Sequence, residues 1–250
     1  MKREFVKTDN ARRFATAIQL REARGAAESG LVVVHGRAGE GKTRTLHNWA
    51  STRDAVMLTA YPGWTPHRMM CELDERMSVV TRGNWQATIA EQIAEGEKPL
   101  VVDEAGFALA DGAACLERLR TITDKSGTLL VLALMQRDMS RLQQHDQITS
   151  RATLCEFKAS TADDVAAACV QLAEVQIEAD LVARIHSESE GRMRLVLDAI
   201  NLVETLARSK DRQARMGLAD VAGLRLCQDF NAAGAGGNRH RAAGMRRGGR

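Results

Sequence analysis

LVVVHGRAGEGKT, residues 31–43, joins a short apolar run to a glycine-rich turn that ends in Lys-Thr. Four apolar residues before His35 suit a strand buried on both faces. From Gly36 to Thr43 the segment matches G-x-x-x-x-G-K-[ST] in full. Gly36, Gly39 and Gly41 let successive backbone N–H groups turn inward around phosphate oxygens, with Arg37, Ala38 and Glu40 completing the loop. A helix is predicted to start at once, over 43–51, and its N-terminus adds positive potential beside Thr43 and Arg44. Lys42 is then expected to reach the β and γ phosphates of a nucleoside triphosphate, and the Thr43 hydroxyl to ligate Mg²⁺.

Working outward, LVVDEA (100–105) is an apolar strand that ends in two acids, with Asp103 sixty-one residues after Lys42. A strand ending in Asp-Glu is a weak signal alone and a strong one when paired with the loop. Asp103 is placed to hold Mg²⁺ through water, and Glu104 to polarise the attacking water as a general base. Further strands are expected at 55–60, 129–135 and 152–157. Helices are expected at 8–28 (capped by Thr8 or Asp9), from Pro66 to Met77, at 85–95 and at 111–124. This alternation predicts a parallel five-stranded sheet covered on both faces.

From 161 to 230 only helical periodicity remains, with helices expected at 162–174, 178–189, 192–208 and 217–230. Thr161 and Asp164 read as a capping box. The expected organisation is an N-terminal basic helix (1–28), an αβα core (29–158), a small all-α domain (159–230) and a disordered basic tail (231–250). Residues 232–250 carry five Arg, six Gly and no acid.

Composition narrows the class. Three prolines, all at or before Pro99, and 4% aromatics argue against a β-sandwich. The net charge of +3 resides in the tail, without which 30 bases face 32 acids. Five scattered cysteines without a CxxC read as reduced, mostly buried thiols of a cytoplasmic protein. Neither a signal peptide nor a membrane span is read. His67 and Cys71 stand at i,i+4 but nothing completes a metal set. His35 reads as a packed strand-end residue.

On these residues the chain resembles the AAA+ ATPases, whose layout is an α/β P-loop NTPase core followed by a helical lid. The resemblance implies ATP as substrate and Mg²⁺ as cofactor, and the absence of N-K-x-D favours adenine over guanine. It implies a polar γ-phosphate sensor after the fourth strand, for which Gln136 is the candidate. It implies an arginine finger before the fifth strand, at Arg151, and a lid arginine in Gly191-Arg192-Met193-Arg194, at Arg194. Each arginine also has an ordinary reading as a surface ion pair, Arg194 with Asp198 in particular.

Within AAA+ the chain is similar to the transposition ATPases of the phage Mu B type and to TniB-like transposon proteins, over about residues 5–208. The lead-in Lys7-Thr8-Asp9-Asn10-Ala11-Arg12-Arg13-Phe14 belongs to this likeness. It implies an ATP-dependent binder of double-stranded DNA in a bacterial host cell. Such a protein self-assembles on DNA into an oligomer or helical filament, captures target DNA and activates a transposase. The helix-turn-helix domain of Mu B has no room before Gly36, so DNA contact is expected from the core, the lid or the tail. A helicase loader of the DnaC or IstB kind and a regulatory switch without DNA binding are the competing readings.

Residues 1–24 carry seven bases against three acids, and RSKDRQAR (208–215) four against one. Arg208, Lys210, Arg212 and Arg215 are candidate phosphate contacts, with a solvated helix face as the plainer reading. Arg82, in the loop 81–85, and the stretch 136–141 are further candidates. Trp64 and Trp85 could stack on bases or anchor the core.

Overall fold

In the computed structural model, which describes residues 1–23, 30–77, 85–209 and 214–228 with the side chains of 85 and 86 excepted, five strands form one parallel sheet. They are β1 (Leu31–Gly36), β2 (Val56–Thr59), β3 (Leu100–Asp103), β4 (Leu130–Met135) and β5 (Ala152–Glu156). Their order is β2-β3-β4-β1-β5, so β4 separates the strand that leads into the glycine loop from the strand that ends in Asp103. The chain divides into two compact units. Phe5–Asp164 holds this sheet; Val165 onward, with Met1–Glu4, forms the other.

The apolar runs are continuous because both faces of the sheet are covered. Side chains alternate between two cores. Leu31, Val33, Leu100, Val102, Leu130, Leu132 and Leu134 face α3 (Pro66–Met77), α4 (Trp85–Glu95) and α5 (Ala114–Ser126). Val32, Val34, Val101, Val131 and Ala133 face α1 (Asp9–Glu22) and α2 (Lys42–Thr52). Each fully buried Leu or Val contributes about 1.5–3 kcal/mol, so this double layer fixes where the strand ends stand. The short helices α6 (Met139–Leu142) and α7 (Asp146–Thr149) link β4 to β5.

Several boundaries differ from the sequence reading. Helix α1 ends at Glu22, because Ile18 is its last buried apolar residue and Leu20 is exposed; residues 24–28 lie outside the described residues. The strand expected to reach Ala105 stops at Asp103, since Glu104 turns into the left-handed region at φ 52°. Helix α5 starts at Ala114 rather than 111, because Asp111, Gly112 and Ala113 all have positive φ. The Thr161–Asp164 capping box is present: Asp164 N–H donates to Thr161 Oγ1 at 3.2 Å, and Thr161 N–H to Asp164 Oδ2 at 3.4 Å. It opens α8 (Ala162–Leu172), within which the boundary between the units falls.

The second unit is built on α9 (Ala179–Ser189) and α10 (Met193–Ser209). Alongside these helices runs a two-residue parallel ladder that the helical periodicity did not reveal, β6 (Gln176–Ile177) against β7 (Arg215–Met216). The helix expected over 217–230 is corrected: a single 3-10 turn, Leu218–Val221, stands there. Gly223 has φ 74°, and side chains of α9 take the backbone groups a helix would have used. Glu188 accepts from Leu226 N–H at 2.8 Å and Cys227 N–H at 3.2 Å, while Arg184 donates to the Val221 and Leu224 carbonyls. The predicted tail, 231–250, lies outside the described residues. No helix among the described residues is long and apolar enough to cross a membrane.

Candidate nucleotide-binding site

Gly36 closes β1 beside Met135 at the end of β4. A Cβ at Gly36 would collide with the Glu40 carboxylate and lie 2.8 Å from the Phe157 carbonyl, so the loop needs glycine there. Gly39 and Gly41 have φ 88° and 91°, which turns the backbone amides of the loop inward. Gly41 caps α2 without a side-chain bond, which leaves the first-turn amides of Lys42, Thr43 and Arg44 pointing out of the helix. The Lys42 ammonium is buried and lies across this turn, donating to the Gly36 carbonyl at 2.9 Å and the Arg37 carbonyl at 2.8 Å, with Met135 Sδ at 3.8 Å. Arg37, Ala38, Thr43 and Arg44 are exposed around it. A glycine loop, a helix N-terminus and a buried cation converge on one point, which is the electrostatic requirement of a phosphate chain.

Two features of this loop escaped the sequence reading. Glu40, predicted only as a loop residue, folds its carboxylate inward, where Oε2 accepts from Arg37 N–H at 2.7 Å. Burial pushes its carboxyl above the usual range, against the Arg37 bond and the charge of Lys42. Asn10, known only as part of the lead-in, is 3% exposed and ties three segments together. Its Nδ2 donates to the Lys158 carbonyl at 2.7 Å and the Glu40 carbonyl at 3.4 Å, and its Oδ1 accepts from Lys158 N–H at 3.0 Å. A buried Asn near the start of an amphipathic helix carries no such signal in one sequence. Asn10→Ala is expected to destabilise the unit by about 1–3 kcal/mol, because buried backbone groups lose their partners. Urea denaturation checks this, and an unchanged midpoint would show that water replaces the amide.

Asp103 ends β3, is 6% exposed, and accepts from Glu104 N–H at 2.9 Å through Oδ1. Since β1 and β3 both border β4, and Val102 and Val33 both pair with Leu132, Asp103 stands across the sheet from Val34, which is two residues before Gly36, at two strand spacings or about 10 Å. Among the described residues no three His, Cys, Asp or Glu side chains cluster as a metal cage. The donors at hand are therefore the Thr43 hydroxyl and one or two carboxylates, an all-oxygen set that suits Mg²⁺ keeping most of its waters.

Glu104 heads a 3-10 turn, Ala105–Leu109, and this turn packs on the turn Gln136–Asp138 that follows β4. A Cβ at Gly106 would collide with the Asp138 carboxylate, and Arg141 donates to the Gly106 carbonyl at 3.2 Å. The predicted base and the predicted sensor therefore sit on adjoining turns at the ends of adjoining strands. Gln136 is exposed on its turn, and its Oε1 lies 2.8 Å from Nδ1 of the buried His35.

The predicted arginines fall elsewhere. Arg151 precedes β5, whose first residue Ala152 pairs with Leu31 at the start of β1. It is thus at the end of the sheet opposite the loop, and it forms an ion pair with Asp124 Oδ2 at 3.2 Å, an oxygen that Arg120 also holds at 2.6 Å. Arg194 is exposed on α10 and makes no ion pair with any described residue, so the Arg194–Asp198 pair is not formed. Arg208 pairs with Glu204 at 3.3 Å and Glu174 at 3.5 Å, and Arg215 with Glu178 at 3.7 Å. Lys210, Arg212 and Arg82 lie outside the described residues. Trp64 is a core anchor, buried with its Nε1 donating to Glu72 at 3.2 Å, and not a base-stacking residue. His67 Nδ1 lies 3.7 Å from Cys71 Sγ, and among the described residues they belong to no cluster of three metal-binding side chains. The cysteines are free thiols, all but Cys71 buried.

No family model matches the chain, and no curated protein matches it. Solved structures do. Cdc6p from Pyrobaculum aerophilum aligns with a TM-score of 0.61 at 16% identity, over 88% of this chain and 68% of that one. Domain III of the Thermotoga maritima replication initiation protein DnaA aligns with 0.59 at 13%, over 84% and 89%. A single-residue mutant of RuvB from Thermotoga maritima aligns with 0.56 at 19%, over 87% and 69%. With this sheet order, this loop and a helical C-terminal region, the chain has the fold of the AAA+ P-loop nucleoside triphosphatases.

Proposed function

We propose that this protein is an ATP-dependent, sequence-nonspecific double-stranded DNA-binding ATPase that captures target DNA and activates a transposase. The observation that carries the nucleotide half is the buried Lys42 ammonium set in the Gly36–Thr43 loop, with Asp103 and Glu104 two strands away. In this reading Lys42 and the loop amides hold the phosphates and Glu104 draws the proton from the attacking water. Thr43, and Asp103 through water, would hold Mg²⁺, which when bound would neutralise charge at the phosphates.

The DNA half is supported by the basic segments of the sequence, by the lead-in likeness to Mu B and TniB-like proteins, and by the replication initiation protein among the similar folds. Arg208 and Arg215 are compensated by acids of their own unit, which leaves the exposed Arg194 and Arg137 and the basic tail as the stronger phosphate contacts.

Retention on duplex DNA of random sequence, with and without ATP and across a salt series, tests the reading. The expected result is ATP-dependent retention that weakens with salt and is lost in Lys42→Ala. Retention equal in both nucleotide states would remove the coupling. Binding of a replicative helicase in place of a transposase would make the protein a loader.

A further inference from the structure

His35 was expected only to pack at a strand end. Its ring is buried at 8% exposure, immediately before Gly36, and its Nδ1 lies 2.8 Å from Gln136 Oε1. The amide oxygen faces the ring and can only accept, an arrangement that calls for the Nδ1–H tautomer. We propose that His35 is a positioning residue for ATP hydrolysis: its Nδ1–H holds the oxygen of the Gln136 amide and so keeps the amide nitrogen as the end offered to the γ-phosphate. This rests on the nucleotide reading given above.

The argument is one of polarity. The two ends of a glutamine amide are nearly the same size and opposite in hydrogen-bonding sense. Phosphate oxygens only accept, so the nitrogen end attracts them and the oxygen end repels them. An exposed glutamine on a 3-10 turn samples both orientations unless something fixes one. Gln136 has one such partner among the described residues, and that partner is rigid. His35 is in β1, between β4 and β5, with Leu134 as its register neighbour. The next residue, Gly36, gives its carbonyl to Lys42. The same strand end thus places the phosphate-binding ammonium and sets the polarity of the sensor. Lys42 neutralises charge whichever way Gln136 faces, so the loss of His35 should touch turnover more than binding.

Three variants and one spectrum test this on the full-length protein. His35→Val is expected to lower kcat about tenfold, the worth of one oriented hydrogen bond, with ATP affinity changed by no more than about twofold. His35→Asn places an N–H near the position of Nδ1 and should recover most of the loss. In a Gln136→Ala background, His35→Val should have no further effect. Independently of turnover, ¹⁵N shifts of His35 in nucleotide-free protein should show the Nδ1–H tautomer. That preference should be lost in Gln136→Ala. The proposal is overturned by unchanged kcat in His35→Val, by no recovery in His35→Asn, by an equal loss without Gln136, or by an Nε2–H tautomer in the parent protein. If the parent protein neither binds nor hydrolyses ATP, the nucleotide reading itself fails and takes this one with it. A parent that turns over ATP normally while His35→Val does too overturns only the role of His35.

Discussion

Glu104→Gln is expected to cut ATP turnover by roughly 10²–10⁴, the usual worth of a general base, while ATP stays bound. The two side chains have the same shape, so the change removes only the ability to take a proton. The groups assigned to binding are elsewhere: Lys42 on the carbonyls of Gly36 and Arg37, and Asp103 at the end of β3. The backbone also gives a reason to expect an intact fold. Glu104 sits at φ 52°, a strained conformation for any residue with a Cβ, costing about 1–3 kcal/mol. Its backbone is held there from both sides, by Glu104 N–H on Asp103 Oδ1 and by Phe107 N–H on the Glu104 carbonyl at 3.0 Å. Gln bears the same strain in the same bonds. Trapped in the ATP state, the variant should stay on DNA longer than the parent protein. Phosphate release and nucleotide binding measured on one preparation decide it. Turnover at the parent rate would show that the proton goes elsewhere.

What the sequence reveals and what it hides divide along a physical line. The loop was legible because its backbone forces residue types at fixed spacing: glycines at 39 and 41 where φ is positive, and a glycine at 36 where a Cβ would collide. The sheet was legible because burial on both faces leaves unbroken apolar runs such as Leu130–Met135. The start of α3 at Pro66 and the end of α4 at Glu95 were read where they are observed. Hidden were the features that depend on distant segments meeting. Asn10 joins Lys158 and Glu40; His35 joins Gln136; Gly106 gives way to Asp138. Each of these is one unremarkable residue whose partner lies far along the chain. The end of the second unit was misread for a related reason: Arg184 and Glu188 supply its backbone bonds from α9, which periodicity cannot register.

Arg151→Ala is expected to leave ATP affinity near that of the parent protein and to lower assembly-stimulated hydrolysis by roughly 10³, the scale of an arginine finger. Position is the reason. Arg151 precedes a strand that runs parallel to β1, so it stands at the opposite end of the sheet from Gly36 and cannot serve the nucleotide of its own subunit. In the proposed assembly, a guanidinium there would act on a neighbour's nucleotide, stabilising charge on the γ-phosphate in trans. Its ion pair with Asp124 at 3.2 Å does not hold it back. Arg120 already neutralises the same carboxylate oxygen at 2.6 Å, and a partly exposed pair of this kind is worth about 1 kcal/mol at most. Asp124→Asn, which removes that pair and keeps the arginine, should therefore retain the stimulated rate. Mixing gives the sharper result. In a mixed assembly of Arg151→Ala and Lys42→Ala proteins, the arginine of the second meets the intact loop of the first, and those interfaces are complete. Part of the stimulated rate should return although each protein alone is inactive. Co-assembly without any return of activity, together with the same loss in Asp124→Asn, would make Arg151 a structural partner of α5 and nothing more.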